Sequence, residues 1–514
     1  MENFPWLTVL MVVPLIGAIV VALLPSGSSG RPWRPVALGV SLVTLLISIG
    51  AALQFTSGSA DQFQLVEKHQ WIPQFGVSYA LGVDGIALSL IVMSAILVPV
   101  CLLAMWDEFP GGGGREKNYF ALTLLLEAFI VGVFAATDVF LFYVFFEAML
   151  IPVYFLIGWF GGEGRQKAAL KFLLFSLAGG LVMLAAVIGV YFQGPQGGEG
   201  FLVENLTGLS MGQNTERLLF LGFFIAFAVK APMWPVHTWL PDAAAASRPA
   251  TATLLVGVLD KVGTFGMIRF CLQLFPNASQ WATPAVIVLA IISIVYGAVL
   301  AIGQDDLMRL IAYTSISHFG FIVLGIFVMT STAGAGASLY MINHGFGTAA
   351  LFLIAGMLIA RRGSTKISDY GGWQKIAPGL AGVFLLSGLA GLALPGLGSF
   401  VSEFLVIVGS FQHSKWAGAF AVTGMVLAAT YIMWLYKRMM TGPTPELATP
   451  VRDITIREKV VVAPLIAAFL VLGFFPKPVL DVINPAVQQT LQIVGVSDPQ
   501  PTHPTAATTG SNNR

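Results

Sequence analysis

Charge is what this chain has least of. Asp, Glu, Lys and Arg make up only 10% of its 514 residues, against roughly a quarter in an ordinary soluble domain, and that shortage excludes a free-standing soluble enzyme. The net charge of +1 offers no basic field to nucleic acid. Cysteine is confined to Cys101 and Cys271, far apart inside apolar runs, so neither a disulfide framework nor a Cys-ligated metal or iron–sulfur site is expected. Phosphate-binding loops are missing too. GGGG at 111–114 has no strand before it and no Walker lysine, so it reads as linker, and no G-x-G-x-x-G follows a strand. The chain therefore shows no cofactor or metal site and no means of harvesting energy by itself.

What it has in excess is apolar sequence, at 56%. A helix needs about twenty apolar residues to cross roughly 30 Å of hydrocarbon. Fourteen segments qualify: 4–25, 35–55, 84–106, 118–136, 138–160, 168–192, 217–238, 250–274, 283–302, 307–329, 335–360, 379–411, 416–438 and 459–475. The expected class is an all-α polytopic membrane protein of about fourteen spans. The run 379–411 is too long for one straight span. The first run, Pro5 to Leu24, lacks a basic n-region and is followed by another span, so it reads as an anchor and not as a cleaved signal. The tail 497–514, rich in Pro, Thr and Asn, reads as disordered.

Loop charges set the orientation, because cytoplasmic loops collect Lys and Arg. With the N-terminus outside, seventeen fall inside: Arg31, Arg34, Arg115, Lys117, Arg165, Lys167, Arg248, Arg309, Arg361, Arg362, Lys366, Lys375, Lys437, Arg438, Arg452, Arg457 and Lys459. Only Lys68, Arg217, Lys415, Lys477 and Arg514 fall outside. An even number of spans with both termini on the outer face of a bacterial inner membrane satisfies both counts.

A few ionisable groups remain inside the spans: Glu127, Glu147, Lys171, Lys230, Lys261, Arg269, His318, His344 and Glu403. A charge at a helix centre costs about 2.5–3.5 kcal/mol on the insertion scale, so such groups face a bundle interior and serve a function. Lys171 and Arg269 stand near span ends, where snorkelling or a packing pair accounts for them. Glu147, Lys230, Lys261 and His318 fall near the middle of four different spans. Groups on separate helices at one depth form a row parallel to the membrane plane, which suits lateral proton hopping.

Two spans are interrupted beside charges. In FAVKAPMWPVHTWLPDA, Pro232 and Pro235 follow Lys230; in GLALPGLGSFVSEF, Pro395-Gly396 precedes Glu403. Proline inside a helix removes a donor and costs about 3 kcal/mol or more, and irregular backbone survives in a membrane only where protein buries it or water reaches it. Interrupted spans in corresponding halves point to a transport site between inverted repeats. The predicted division is 1–110 for spans one to three, 118–275 for spans four to eight, 283–440 for spans nine to thirteen, and 441–480 for a loop and the last span. Lys230 then corresponds to Glu403, and Glu147 to His318.

The segments VFFEAMLIPVYFLIG, VKAPMWPVHTWLPDA, LLVGVLDKVGTFGMIRF, IAYTSISHFGF and MINHGFGTAALFLIAG resemble the proton-translocating antiporter-like subunits of complex I and of Mrp-type Na⁺/H⁺ antiporters. The likeness covers roughly residues 80–440. It implies fourteen helices with inverted repeats of helices four to eight and nine to thirteen. Glu403 resembles the M-type members, whereas the L and N members and the Mrp relatives typically carry lysine there. The residues themselves lead to the expectation of proton transfer through Glu147, Lys230, Lys261, His318, His344 and Glu403, with Glu147 pairing with Lys230 and holding it charged, because an opposing charge nearby raises a lysine's pKa. NADH, FMN, iron–sulfur clusters and quinone are implied in partner subunits, and the partners are other membrane-arm subunits of complex I, including the L and N antiporter-like subunits, within the lipid bilayer. In one departure, the family often has a His after Asp-Ala beyond the seventh span, and this chain reads Asp242-Ala243-Ala244; His237 is the candidate for proton entry instead. An Mrp-type antiporter subunit or a membrane-bound hydrogenase subunit of the same fold is the alternative, and a non-conducting scaffold a more distant one.

Overall fold

The computed structural model describes residues 4–27, 30–109, 113–446 and 450–499. Most of the expected disordered tail and part of the GGGG turn lie outside the described residues. Ten of the described helices are long and apolar enough to cross a membrane: α1 (Trp6–Leu23), α2 (Trp33–Gln54), α3 (Gly85–Ala104), α4 (Gly114–Ala135), α5 (Val139–Gly158), α6 (Arg165–Gln193), α9 (Pro276–Ile302), α10 (Leu307–Phe327), α11 (Ser331–Arg362) and α13 (Lys415–Met440). Between them run α7a (Gln213–Lys230) and α7b (Trp239–Ala246), α8 at 249–272, and α12a (Pro378–Gly391) and α12b (Gly398–His413). After α13 come α14 (Ile456–Phe474) and α15 (Lys477–Val494).

Burial sorts these helices into a centre and a rim. In α10 and α11, 94% of the apolar window is buried inside the chain, against 39% or less in α1, α2, α6, α9 and α13. The rim helices are hydrophobic on faces that none of the described residues covers, which is the expected pattern where lipid or a neighbouring subunit is the solvent.

The breaks in α7 and α12 have local causes. Pro232 has no N–H, so the ladder of α7a stops at Lys230; Ala231 still donates to Phe227, and Met233 reaches back to the Ala228 carbonyl at 3.0 Å. The freed Val229 carbonyl accepts the indole N–H of Trp239 at 2.9 Å, and the Trp234 amide is taken by Ser293 of α9. In α12 the chain leaves helix between Gly391 and Gly398 and passes through Ala393 (φ 59°) and Gly396 (φ 93°). A Cβ on Gly473 would strike the Gly396 carbonyl, so a glycine is required for α14 to pack on this break. Two π-turns, Leu255–Leu259 and Met267–Leu272, distort α8.

The two largest elements that were not anticipated lie outside the predicted spans. Between α2 and α3 stands an antiparallel hairpin of β1 (Gln64–Ile72) and β2 (Val77–Val83), with Glu67 opposite Leu81 and His69 opposite Tyr79. It caps the first span, since the Glu67 carboxylate accepts the amides of Leu7 and Thr8 at the α1 N-terminus, where unpaired donors and the helix dipole favour an anion. Helix α15 turns away from α14 by 72°. Its buried face is Ile483, Ala486, Val487, Thr490, Leu491 and Val494, the spacing of an amphipathic surface helix. Its other face is too polar for a hydropathy reading to register, so the predicted last span ends at 475.

Candidate functional site

Four helices bring four of the expected ionisable groups into one buried chain of contacts. Lys261 lies midway along α8, fully buried. Its ammonium donates to the Val256 carbonyl at 2.6 Å and lies 2.7 Å from Nδ1 of His344 on α11. A charged ammonium can only donate; Nδ1 must then accept, and the imidazole proton sits on Nε2, which faces the Ser315 hydroxyl of α10 at 3.3 Å. The His344 ring meets that of His318 on α10, edge to face, at 5.2 Å between centroids. His318 Nε2 is 3.0 Å from the hydroxyl of Tyr431 on α13, and its ring is 5.8 Å from that of Tyr340 on α11. Tyr340 in turn donates to Oε2 of Glu403 on α12b at 3.1 Å. Lys261, His344, His318 and Glu403 are thus connected across α8, α11, α10 and α12b, each from the interior of the bundle.

Asn343 ties the broken twelfth helix to this chain. Its Nδ2 donates to the Gly398 carbonyl at 2.7 Å and to Ser402 at 3.1 Å, fixing the first turn of α12b one residue before Glu403. A Cβ on Gly398 would meet the Asn343 Oδ1 at 2.6 Å.

Lys230 and Glu147 form a second group. Lys230 closes the last turn of α7a, where the negative end of the helix dipole favours a cation. Its Nζ has no hydrogen-bond partner among the described residues and lies instead over Phe146 of α5 and Phe172 of α6, at 4.7 and 5.8 Å from the ring centroids; aromatic faces hold a desolvated cation through their quadrupole. Glu147 is half-buried, with its carboxylate against Gly180 of α6, where any Cβ would collide with Oε1. The expected direct pairing of Glu147 with Lys230 is not made. The ring of Phe146, the residue before Glu147, takes the place of a contact ion pair.

The remaining candidates stand apart. His237 is buried in the break between α7a and α7b, edge-on to Tyr296 of α9 at 5.1 Å and with Nδ1 unpartnered; it joins neither group. Glu127 is buried in α4, and neither of its oxygens has a hydrogen-bond partner among the described residues. Lys171 does not snorkel freely. It pairs with Asp242 of α7b at 2.6 Å, and Arg309 of α10 pairs with the other oxygen at 2.6 Å, a triad that lines a recess of about 1190 Å³. Arg269 is a packing pair: only 2% exposed, it bonds Asp84 at 2.8 Å and lies on the rings of Phe63 and Phe265.

Reading the sequence missed Asp260, which is fully buried with both oxygens unpartnered among the described residues. An acid inside the apolar run LLVGVLDKVG was signal enough to find it, but its neighbour Lys261 masked it. Tyr340, Tyr431, Asn343 and Ser315 gave no such signal, since uncharged polar residues are unremarkable in membrane helices.

The architecture and the buried row define a polytopic α-helical membrane protein with ionisable groups linked through its interior. A family model described as NADH:quinone oxidoreductase/Mrp antiporter, TM, matches residues 136–428. The chain is 53% identical to the NADH-quinone oxidoreductase subunit M of Mycobacterium tuberculosis, over 99% of this chain and 98% of that one. Its fold is similar to a chain of respiratory complex I from Thermus thermophilus, with a TM-score of 0.86 and 31% identity over 95% of this chain and 100% of that one. A chain of the Mrp complex from Dietzia, at 21% identity and a TM-score of 0.84 over 95% of this chain and 98% of that one, shares the fold. The protein belongs to the NADH:quinone oxidoreductase/Mrp antiporter membrane-subunit family, and its fold is the antiporter-like one.

Proposed function

We propose that this chain is the M-type antiporter-like subunit of a proton-translocating NADH:quinone oxidoreductase. It moves protons along the row Lys230, Lys261, His344, His318 and Glu403, driven by redox chemistry in partner subunits that hold NADH, FMN, iron–sulfur clusters and quinone. The observation that carries the reading is the buried linkage of Lys261, His344, His318, Tyr340 and Glu403. Burying that many ionisable groups is costly, and proton transfer accounts for the cost where packing does not. Glu147 acts on Lys230 through its charge, without direct contact, and biases whether the lysine keeps its proton. Water that enters at the breaks in α7 and α12 gives the row access to the two faces, with His237 at the first break. The recess beside Asp242 lies on the face that carries the excess of Lys and Arg, which we assign to the cytoplasm, and both termini to the outside.

The two breaks fall next to Lys230 and a few residues before Glu403, which supports α4–α8 and α9–α13 as inverted repeats. Membrane-arm partners including the L and N subunits follow from the same reading. An Mrp-type antiporter is the other candidate, and the carboxylate at Glu403, where the resemblance leads one to expect lysine in such proteins, favours the first.

The test is Lys230→Ala, with NADH-driven proton uptake measured in membrane vesicles and assembly checked by co-purification. Loss of proton translocation in the assembled complex is expected; normal translocation refutes the assignment.

A further inference from the structure

No hydrogen bond among the described residues joins Lys230 to the rest of the row, and Asp260 is the buried acid that precedes Lys261 on α8. Successive residues of a helix are turned by about 100°, so the neighbours of α8 can be assigned by direction. Gly257, Lys261 and Thr264 share one side and meet α11. A Cβ on Gly257 would lie 3.4 Å from the Gly345 carbonyl, Lys261 bonds His344, and Thr264 bonds the Met341 sulfur at 3.0 Å. Gly263 and Gly266 share another side and meet α7a. A Cβ on Gly263 would lie 2.6 Å from both the Ala231 amide and the Phe227 carbonyl, and one on Gly266 would strike the Phe227 ring. Asp260 projects into the sector between these sides, between the helix that ends in Lys230 and the helix that carries His344. It is fully buried, and both of its oxygens lack any partner among the described residues.

We propose that Asp260 carries the proton between Lys230 and Lys261, an inference that rests on the function proposed above. In the first step the Lys230 ammonium gives a proton to the Asp260 carboxylate, leaving a neutral amine and a carboxylic acid. In the second the acid gives that proton to neutral Lys261, restoring the carboxylate and forming the ammonium. Charge is conserved in each step, and no group outside the row is consumed. A carboxylate held without hydrogen bonds suits this role, because both oxygens stay free to bond the water or amine on either side. A purely structural acid would have had those oxygens satisfied, since unpaired buried acceptors are costly.

The experiment compares Asp260→Asn, Asp260→Glu and Lys230→Ala in the intact complex, reading proton translocation per NADH oxidised alongside co-purification of the partner subunits. Asn keeps the shape and cannot carry a proton, so D260N is expected to assemble and to lose translocation by about tenfold or more. D260E keeps the carboxyl and is expected to pump. Normal pumping by D260N, or an assembled D260E that does not pump, overturns the proposal. If D260N does not assemble, D260E decides alone. Loss in K230A with none in D260N removes only the Asp260 step, whereas no loss in K230A removes the function itself.

Discussion

The ammonium of Lys261 is held at 2.7 Å by Nδ1 of His344 and at 2.6 Å by the Val256 carbonyl, with the Phe319 ring at 5.1 Å. That geometry makes His344 the first acceptor for the Lys261 proton. Replacing His344 by Phe keeps a planar ring in the same pocket and removes both nitrogens, so the contact from Lys261 to His318 is cut without a cavity. We predict that H344F assembles, retains Lys261 bonded to Val256, and translocates protons at least about tenfold more slowly. Proton uptake by NADH-energised vesicles reads the effect, and wild-type uptake by H344F would falsify the linkage through His344.

Gly180 offers a test of Glu147 that changes no charge. Its missing side chain is what admits the Glu147 carboxylate, and a Val there must displace it. G180V is predicted to impair proton translocation nearly as much as Glu147→Ala, although every ionisable group is retained. The control is G382A, since a Cβ at Gly382 meets nothing within 4 Å and should leave pumping unchanged. Equal activity in G180V and G382A would show that the position of Glu147 is immaterial.

The Arg269–Asp84 pair makes an asymmetric prediction about stability. Arg269 is buried on two aromatic rings, while Asp84 also caps α3 through the Ala87 amide at 2.8 Å and borders a recess of about 320 Å³. Asp84→Asn keeps a capping oxygen and leaves a buried guanidinium unpaired, at a cost of about 3–5 kcal/mol. Arg269→Met replaces the stem with apolar volume and leaves an acid that water can reach, so it should cost less. Thermal unfolding of the purified complex, followed by loss of this subunit, ranks the two; a milder effect for D84N would contradict the assignment of the pair as a buried structural bridge.

Much of the candidate site was legible in the sequence because charge in lipid is rare. Lys261, His318, His344 and Glu403 announce themselves as ionisable residues in apolar runs, and the structure joins them. Prolines 232 and 395 marked both helix breaks for an equally plain reason, a missing backbone donor. Distance was not legible. The sequence placed Glu147 and Lys230 at one depth, and from that a contact pair was expected, yet Phe146 occupies the space beside the ammonium. Asp260 shows the opposite error, since two adjacent charges looked like one feature although a turn of about 100° points them at different helices. The β-hairpin and α15 escaped because a hydropathy reading registers only long segments of high average hydropathy, and these two carry polar faces.

The sequence by itself determined that this protein spans a membrane many times and which helices hold titratable groups, because each follows from the cost of putting a residue type into hydrocarbon. Only the tertiary structure decided which of those groups touch. Contact between residues on different helices depends on helix rotation, on the π-turns of α8 and on the glycines that let backbones approach, and these are fixed by packing across the whole bundle.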